Sequence, residues 1–198
     1  MINNMQESKR GYLNSLLRSK QTVFSFKELM LLWGGIDSAT ARARAHYYTA
    51  NGQLYPLRRG LYAKDKDYDR FELATRIFTP SYISFETVLQ SHGIIFQHDT
   101  RIFAATYQSR EISCDTRIYV FKTLKNPILL NSAGIENRQF YFIASAERAF
   151  LDIIYLHKQY HFDNVSSLNW DRVFALLPIY GSHKRMERSV GDWHKKIK

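Results

Sequence analysis

The chain has 198 residues, 45% of them hydrophobic and 23% charged, a composition that is typical of a globular protein and excludes a wholly disordered one. Its formal net charge of +10 favours a polyanionic partner such as nucleic acid. Cys114 is the only cysteine, which excludes an internal disulfide. The first ten residues are polar, unlike a signal peptide, and no apolar run is long enough to cross a bilayer. We therefore expect a cytoplasmic protein with no membrane contact.

The positive charge is concentrated at the two ends of the chain. Residues 1–64 contain ten Lys or Arg and three Asp or Glu, a net charge of +7. Residues 182–198 contain six Lys or Arg and two Asp or Glu, a net charge of +4, whereas the 117 residues between carry −1. This segregation predicts two separate basic surfaces.

The first part of the chain has the pattern of a helix-turn-helix. The predicted elements are a helix over 9–20, an extended segment over 22–24, a second helix from 26 to the glycine pair at 34–35, and a third helix over 39–51. Ser25 and Glu28 fit a capping box for the second helix, and Asp37 or Ser38 can cap the third. Two helices joined by a tight glycine turn, with a third helix upstream, are typical of this motif.

A short hairpin is predicted directly after the third helix. Residues 54–57 and 61–63 have the pattern of two strands, and Arg58, Arg59 and Gly60 form the turn between them. A hairpin in this position predicts a winged helix-turn-helix domain over residues 1–66.

The third helix and the hairpin contain the candidate DNA contacts. One helix face holds Ala39, Ala43, Tyr47 and Ala50, the other Ala41, Ala45 and Tyr48, and either face can pack inward. Small side chains allow a helix to enter the major groove, while arginines reach phosphates or guanine. The alternative is an alanine-rich surface helix with solvated arginines. The candidate residues are Ser38, Thr40, Arg42, Arg44, Tyr48, Arg58, Arg59 and Lys64.

Residues 67–198 are predicted to form a mixed α/β domain with a central sheet flanked by helices, which makes the chain α+β overall. The expected elements are helices from Asp69, Ser84, Ser145 and Asn169 and strands over 101–130 and 138–143. Asp69 and Glu72 fit a second capping box. Arg148 and Asp152, four residues apart, are expected to form an intrahelical ion pair worth a few tenths of a kcal/mol.

The C-terminal segment, 182–197, is predicted to be a basic helix weakened at Gly191. It is a candidate for a second nucleic-acid surface, a partner surface or a solvated helix. Its basic residues are Lys184, Arg185, Arg188, Lys195, Lys196 and Lys198.

No catalytic or metal-binding pattern is evident. Glu7-Ser8-Lys9 lacks the preceding strand aspartate of a nuclease motif, and His157 and His161 lack a third ligand. We therefore expect no catalytic residues, no metal and no cofactor. Two alternatives remain open: a nucleic-acid-processing enzyme of nuclease type, and a winged-helix protein-interaction module, against which the +7 first segment argues.

Three segments resemble one protein family. LYPLRRGLYAK, PSYISFETVLQSHGII and FIASAERAFLDIIY, the last containing Ala144, Glu147, Ala149 and Asp152, are similar in order and pattern to the AbiEi-type antitoxins of bacterial type IV toxin–antitoxin systems. The resemblance spans about residues 55–155 and does not predict the basic C-terminal segment. It implies a DNA-binding autorepressor that binds inverted repeats in its own operator. It also implies an antitoxin role against a cognate nucleotidyltransferase toxin, without a stable complex.

Overall fold

The structure is a computed structural model that describes residues 11–197, and its fold is α+β. The chain divides into two compact units, Met1–Arg76 and Ile77–Lys198. The first contains α1 (11–18), β1 (Val23–Ser25), α2 (Phe26–Leu32), α3 (Ser38–Ala50), β2 (Tyr55–Arg58), β3 (Leu61–Ala63) and most of α4 (Arg70–Ile77). The expected helix start at residue 9, the Glu7-Ser8-Lys9 segment and Lys198 lie outside the described residues.

The first unit contains an antiparallel sheet with the strand order β1-β3-β2. Val23 is paired with Ala63 on one side of β3, and Tyr55 is paired with the same residue on the other. Pro56 lies in the edge strand β2, the kind of strand to which proline is largely confined because it has no N–H to donate. The predicted capping box is confirmed: Glu28 N–H donates to Ser25 Oγ over 3.2 Å, and Ser25 N–H donates to Glu28 Oε2 over 2.7 Å.

Most of α4 belongs to the first unit, although residue 66 was predicted as the boundary. The Glu72 carboxylate is buried and accepts hydrogen bonds from Thr22 N–H at 2.9 Å and Thr22 Oγ1 at 2.5 Å. Arg76 pairs with Glu28 at 2.5 Å and with Glu72 at 3.2 Å. Only half of the predicted capping box forms, since Asp69 accepts from Glu72 N–H while the Glu72 carboxylate bonds to Thr22 instead. These bonds tie α4 to α2 and to Thr22, the residue that precedes β1.

The second unit is built on a mixed six-stranded sheet. Its elements are β4 (Ser81–Ile83), α5 (Phe85–Ser91), β5 (Ile102–Thr106), β6 (Arg110–Cys114), β7 (Arg117–Thr123), α6 (Asn126–Leu129), β8 (Ile135–Asn137), β9 (Phe142–Ala144), α7 (Ala146–Leu156), α8 (Trp170–Leu176), a 3-10 turn (Leu177–Tyr180) and α9 (Lys184–Lys195). The strand order is β6-β7-β5-β4-β9-β8, with β5–β7 and β4–β9 parallel and the other pairs antiparallel. β4, α6 and β8 were not predicted from the sequence.

A polar cluster is buried where α7 passes β4, and it corrects the expectation of a weak intrahelical pair. The side chains of Arg148 and Asp152 are 0% exposed. Asp152 accepts hydrogen bonds from Tyr180 at 2.6 Å, Ser84 at 2.7 Å and Tyr82 at 3.1 Å. Ser84, where a helix was predicted to begin, precedes α5 but makes no side-chain cap for it, because its hydroxyl donates to Asp152.

α9 is continuous through Gly191, where a weakness was predicted. Its buried residues are Met186 and Val190, four residues apart, so the helix packs along one face. Over residues 11–197, no helix has both the length and the apolar character required to span a bilayer.

Candidate nucleic-acid interface

The turn before α3 fixes where that helix begins. Gly34 and Gly35 have φ values of +83° and +71°, which side chains with a Cβ rarely adopt. The Asp37 carboxylate then caps α3, accepting from Ala39 N–H at 2.9 Å and Thr40 N–H at 3.0 Å. The hydroxyl of Thr40, which donates to the same carboxylate, and these backbone bonds hold the pKa of Asp37 below its ordinary value.

The structure settles which face of α3 packs inward. Ala41, Ala45 and Tyr48 are buried in the core of the first unit, where the Tyr48 ring lies 5.8 Å from that of Trp33. Tyr48 was predicted as a DNA contact, and this is wrong, because a side chain that is 3% exposed cannot reach an external ligand. The outward residues are Ser38, Ala39, Arg42, Ala43, His46, Tyr47 and Ala50.

The two predicted arginines of α3 differ in their surroundings. Arg42 is exposed, and its Cζ lies 5.9 Å from the centre of the Phe26 ring. Arg44 is half-buried, because its guanidinium stacks 3.7 Å above the Tyr12 ring of α1. Arg44 thus holds α1 against α3, and Arg42 is the arginine available to a ligand.

The hairpin presents its cations at one end. Arg58, the last residue of β2, and Arg59 in the turn are both exposed. The Gly60 carbonyl accepts a hydrogen bond from Phe26 N–H at 2.9 Å, which anchors the turn to the start of α2. Lys64, also predicted as a contact, is half-buried and donates to the Ser19 carbonyl at 3.1 Å.

Phe26 therefore joins the two candidate binding elements. Its ring lies beside the exposed Arg42 of α3, and its N–H bonds to the turn of the β2–β3 hairpin. Arg42, on the outward face of α3, and Gly60, in the hairpin turn, therefore both contact Phe26.

Sequence reasoning missed His46 and Tyr47, which are exposed on the outward face. Their signal was present in the helical period, since both lie on the side of α3 opposite Ala41, Ala45 and Tyr48. The helical period assigns them to the outward face only when the face of Ala41, Ala45 and Tyr48 is known to be the buried one.

The predicted basic residues of the second unit divide into those that line a cleft beside α9 and those that do not. Arg185, Arg188 and Lys196 line a cleft of about 340 Å³ at one side of the helix. Lys184 and Lys195 are exposed and do not line that cleft. In the described part of the chain, no three His, Cys, Asp or Glu side chains are grouped so that they could hold a metal ion.

Comparison with known proteins gives no family. No protein-family model matches the chain, and no curated protein matches it. The crystal structure of the RV2827C protein from Mycobacterium tuberculosis is similar to it with a TM-score of 0.48 and 12% sequence identity, over 93% of this chain and 81% of that one.

Proposed function

We propose that the first unit is a winged helix-turn-helix domain and that it binds double-stranded DNA. The observation that supports this most directly is the junction at Phe26, which places the exposed Arg42 of α3 and the β2–β3 turn together. In this proposal α3 enters the major groove, and Arg58 and Arg59 contact the backbone or the minor groove.

The outward face of α3 suits a groove. Ala39, Ala43 and Ala50 are small and exposed, so the helix axis can approach the base edges closely. Arg42 supplies a guanidinium for guanine or phosphate, and Tyr47, which is 50% exposed, adds an aromatic ring to the outward face. Ser38 lies in the first turn of α3, where recognition helices commonly meet the DNA.

Fluorescence anisotropy of the full chain tests this proposal. The protein is added to a labelled duplex from the upstream region of its own gene and, separately, to a labelled scrambled duplex, at a series of salt concentrations. We expect the scrambled duplex to bind roughly a thousandfold more weakly. Arg42→Ala should reduce the discrimination between the two duplexes, because it removes a candidate base contact.

The hairpin variant has a different expected effect. Arg58→Ala/Arg59→Ala should weaken binding to both duplexes and make the salt dependence shallower by about 1.8 log units per log unit of salt, because two phosphate contacts are lost. Lys184→Ala/Lys195→Ala removes the same charge from the second unit and is the matched control. If the hairpin variant binds like the parent, or if the control loses as much, this interface is not the one used.

We further propose that the DNA-binding activity represses the chain's own operon and that the protein is an antitoxin against a nucleotidyltransferase toxin. This rests on the resemblance of three segments to AbiEi-type antitoxins. Two of those segments supply Tyr82, Ser84, Arg148 and Asp152 to the buried cluster, so we assign them a structural role. Co-expression with a toxin encoded beside the gene tests the antitoxin role: the full chain should restore growth, and Arg58→Ala/Arg59→Ala should still restore it.

The nuclease alternative has a direct test. Under our proposal, the protein leaves single- and double-stranded DNA and RNA intact in the presence of Mg²⁺ or Mn²⁺. Metal-dependent cleavage by the purified chain would contradict the proposed regulator and support the nuclease alternative.

A further inference from the structure

One face of α9 is lined by cations and an aromatic ring. The residues that open toward the cleft recur at helical spacing, three or four positions apart. They are Arg185, Arg188, Ser189, Asp192, Trp193 and Lys196. Lys158, Gln159 and Tyr160, which follow α7, complete the lining.

The cleft carries a surplus of positive charge. Its lining contains four cations, Lys158, Arg185, Arg188 and Lys196, and one carboxylate, that of Asp192. Arg185 has partners, since it donates to the Tyr155 carbonyl at 2.7 Å and to the His157 carbonyl at 2.9 Å. Among residues 11–197, no carboxylate oxygen lies within 4.0 Å of the charged nitrogens of Lys158, Arg188 or Lys196. Three exposed cations therefore remain for an anionic ligand.

The aromatic rings of the cleft are held in place from behind. Phe162 is buried and contacts both rings, with centroid distances of 5.3 Å to Trp193 and 4.9 Å to Tyr160. Lys196 Nζ lies 4.0 Å from the centre of the Trp193 ring, so a rotation of the lysine side chain uncovers that face. Burial, together with the charge of Glu86, raises the pKa of Tyr160 to about 12, so its hydroxyl is uncharged at neutral pH.

We infer that this cleft binds single-stranded nucleic acid, with Lys158, Arg188 and Lys196 on the phosphates and Trp193 or Tyr160 against a base. Cations without a carboxylate partner, beside fixed aromatic rings, are the combination that tracks a backbone and stacks on bases without reading their sequence. A duplex fits the same residues less well, because its bases are stacked on one another and present no face to a ring. The volume of about 340 Å³ lies at the lower end of ligand pockets, which suits a single nucleotide of a longer strand.

The test uses the full chain and labelled 12-mers of oligo(dT) and oligo(U), with a 12-base-pair duplex of unrelated sequence and poly-glutamate as comparisons. Arg188→Ala/Lys196→Ala removes two cleft cations. Lys184→Ala/Lys195→Ala removes two exposed cations of the same helix that lie outside the cleft, so the two variants have equal net charge. We expect the cleft variant to bind both 12-mers about tenfold more weakly, with a salt dependence shallower by about 1.4 log units, and the control to change by less than threefold.

Trp193 provides a second measurement. Stacking of a base should quench its fluorescence, and Trp193→Phe should remove that quenching while it retains the contact with Phe162 and most of the affinity. Binding of oligo(U) over oligo(dT), or the reverse, identifies RNA or DNA as the preferred strand.

Three results would overturn the inference. Equal losses in the cleft variant and its control would reduce the site to general surface charge. Tighter binding of the duplex through Arg188 and Lys196 would make it a duplex site. Competition by poly-glutamate that weakens with the same two substitutions would make it a site for acidic protein. Because Arg58→Ala/Arg59→Ala affects only the first unit, failure here is distinct from failure of operator binding.

Discussion

Replacing Asp152 by alanine should destabilise the second unit by far more than the loss of a helix-surface ion pair. The substitution leaves the Arg148 guanidinium 0% exposed and without its carboxylate partner, whose Oδ1 lies 3.4 Å from Arg148 Nε. It also removes the acceptor of three hydroxyl groups, those of Tyr82, Ser84 and Tyr180. Burial and the charge of Asp152 raise the pKa of both tyrosines well above its ordinary value, so they are donors at any pH of interest.

The magnitude follows from these contacts. Breaking a buried pair by removing one partner costs about 3–5 kcal/mol, whereas an exposed i,i+4 pair contributes about 0.3–0.5 kcal/mol. Arg148 retains carbonyl acceptors at Ile128, 2.7 Å away, and at Ala133, 2.9 Å away. We therefore expect Asp152→Ala to cost about 3 kcal/mol, and Asp152→Asn, which keeps the shape and loses the charge, to cost less.

Urea unfolding followed by circular dichroism measures the free energy of unfolding. Asp99→Ala is the control, since Asp99 pairs with Arg101 at 2.6 Å in a partly exposed position and its loss should cost less than about 1 kcal/mol. A cost for Asp152→Ala no larger than that of the control would refute the argument that the buried cluster holds the second unit together.

Three further predictions concern other parts of the fold. Tyr48→Phe should leave DNA affinity within twofold of the parent in anisotropy, because the ring is a core element, and a selective loss of binding would return Tyr48 to the interface. Burial raises the pKa of Glu28, but bonds from Ser25 and the charge of Arg76 outweigh it and hold the pKa below 4.5. The ionised Glu28 carboxylate therefore stabilises the fold at pH values above its ordinary pKa, and this stability is lost as the pH falls through its pKa in the folded state. We expect Glu28→Gln to make the melting temperature fall less steeply at acid pH than in the parent. Gly134→Ala should cost more than about 1 kcal/mol in urea unfolding, since φ is +73° and a Cβ would lie 3.0 Å from that of Arg148; an unchanged midpoint would show that the loop yields.

Local chemistry explains what the sequence could predict. The Ser25–Glu28 box, the glycine pair before α3 and the Arg58–Gly60 turn each depend on residues within a few positions of one another, and each appears in the structure close to its expected place. The face of α3 could not be decided in this way, because both faces carry alanines and a tyrosine of nearly equal hydrophobicity. Only the packing of Trp33 against Tyr48 distinguishes them.

Long-range contacts account for the elements that were missed. β4 has three residues, too few for a period to emerge, and is a strand because β5 and β9 pair with it. Ser84 has the sequence of a helix cap, yet its hydroxyl bonds to Asp152, 68 positions along the chain. The Glu72 carboxylate likewise accepts a hydrogen bond from Thr22, 50 positions away, and this bond holds α4 in the first unit.

The bonds of Arg185 bear on how function is assigned by deletion. This side chain occupies the carbonyls of Tyr155 and His157 at the end of α7, and Met186 and Val190 fill the core beneath α9. A protein truncated before residue 184 would lose both the bonds of Arg185 and the buried side chains of Met186 and Val190. The loss of an activity in such a truncation could therefore result from a damaged core as well as from a missing ligand contact. Charge-reversing substitutions at Arg188 and Lys196, which touch neither, separate those two causes and leave the last helix in place.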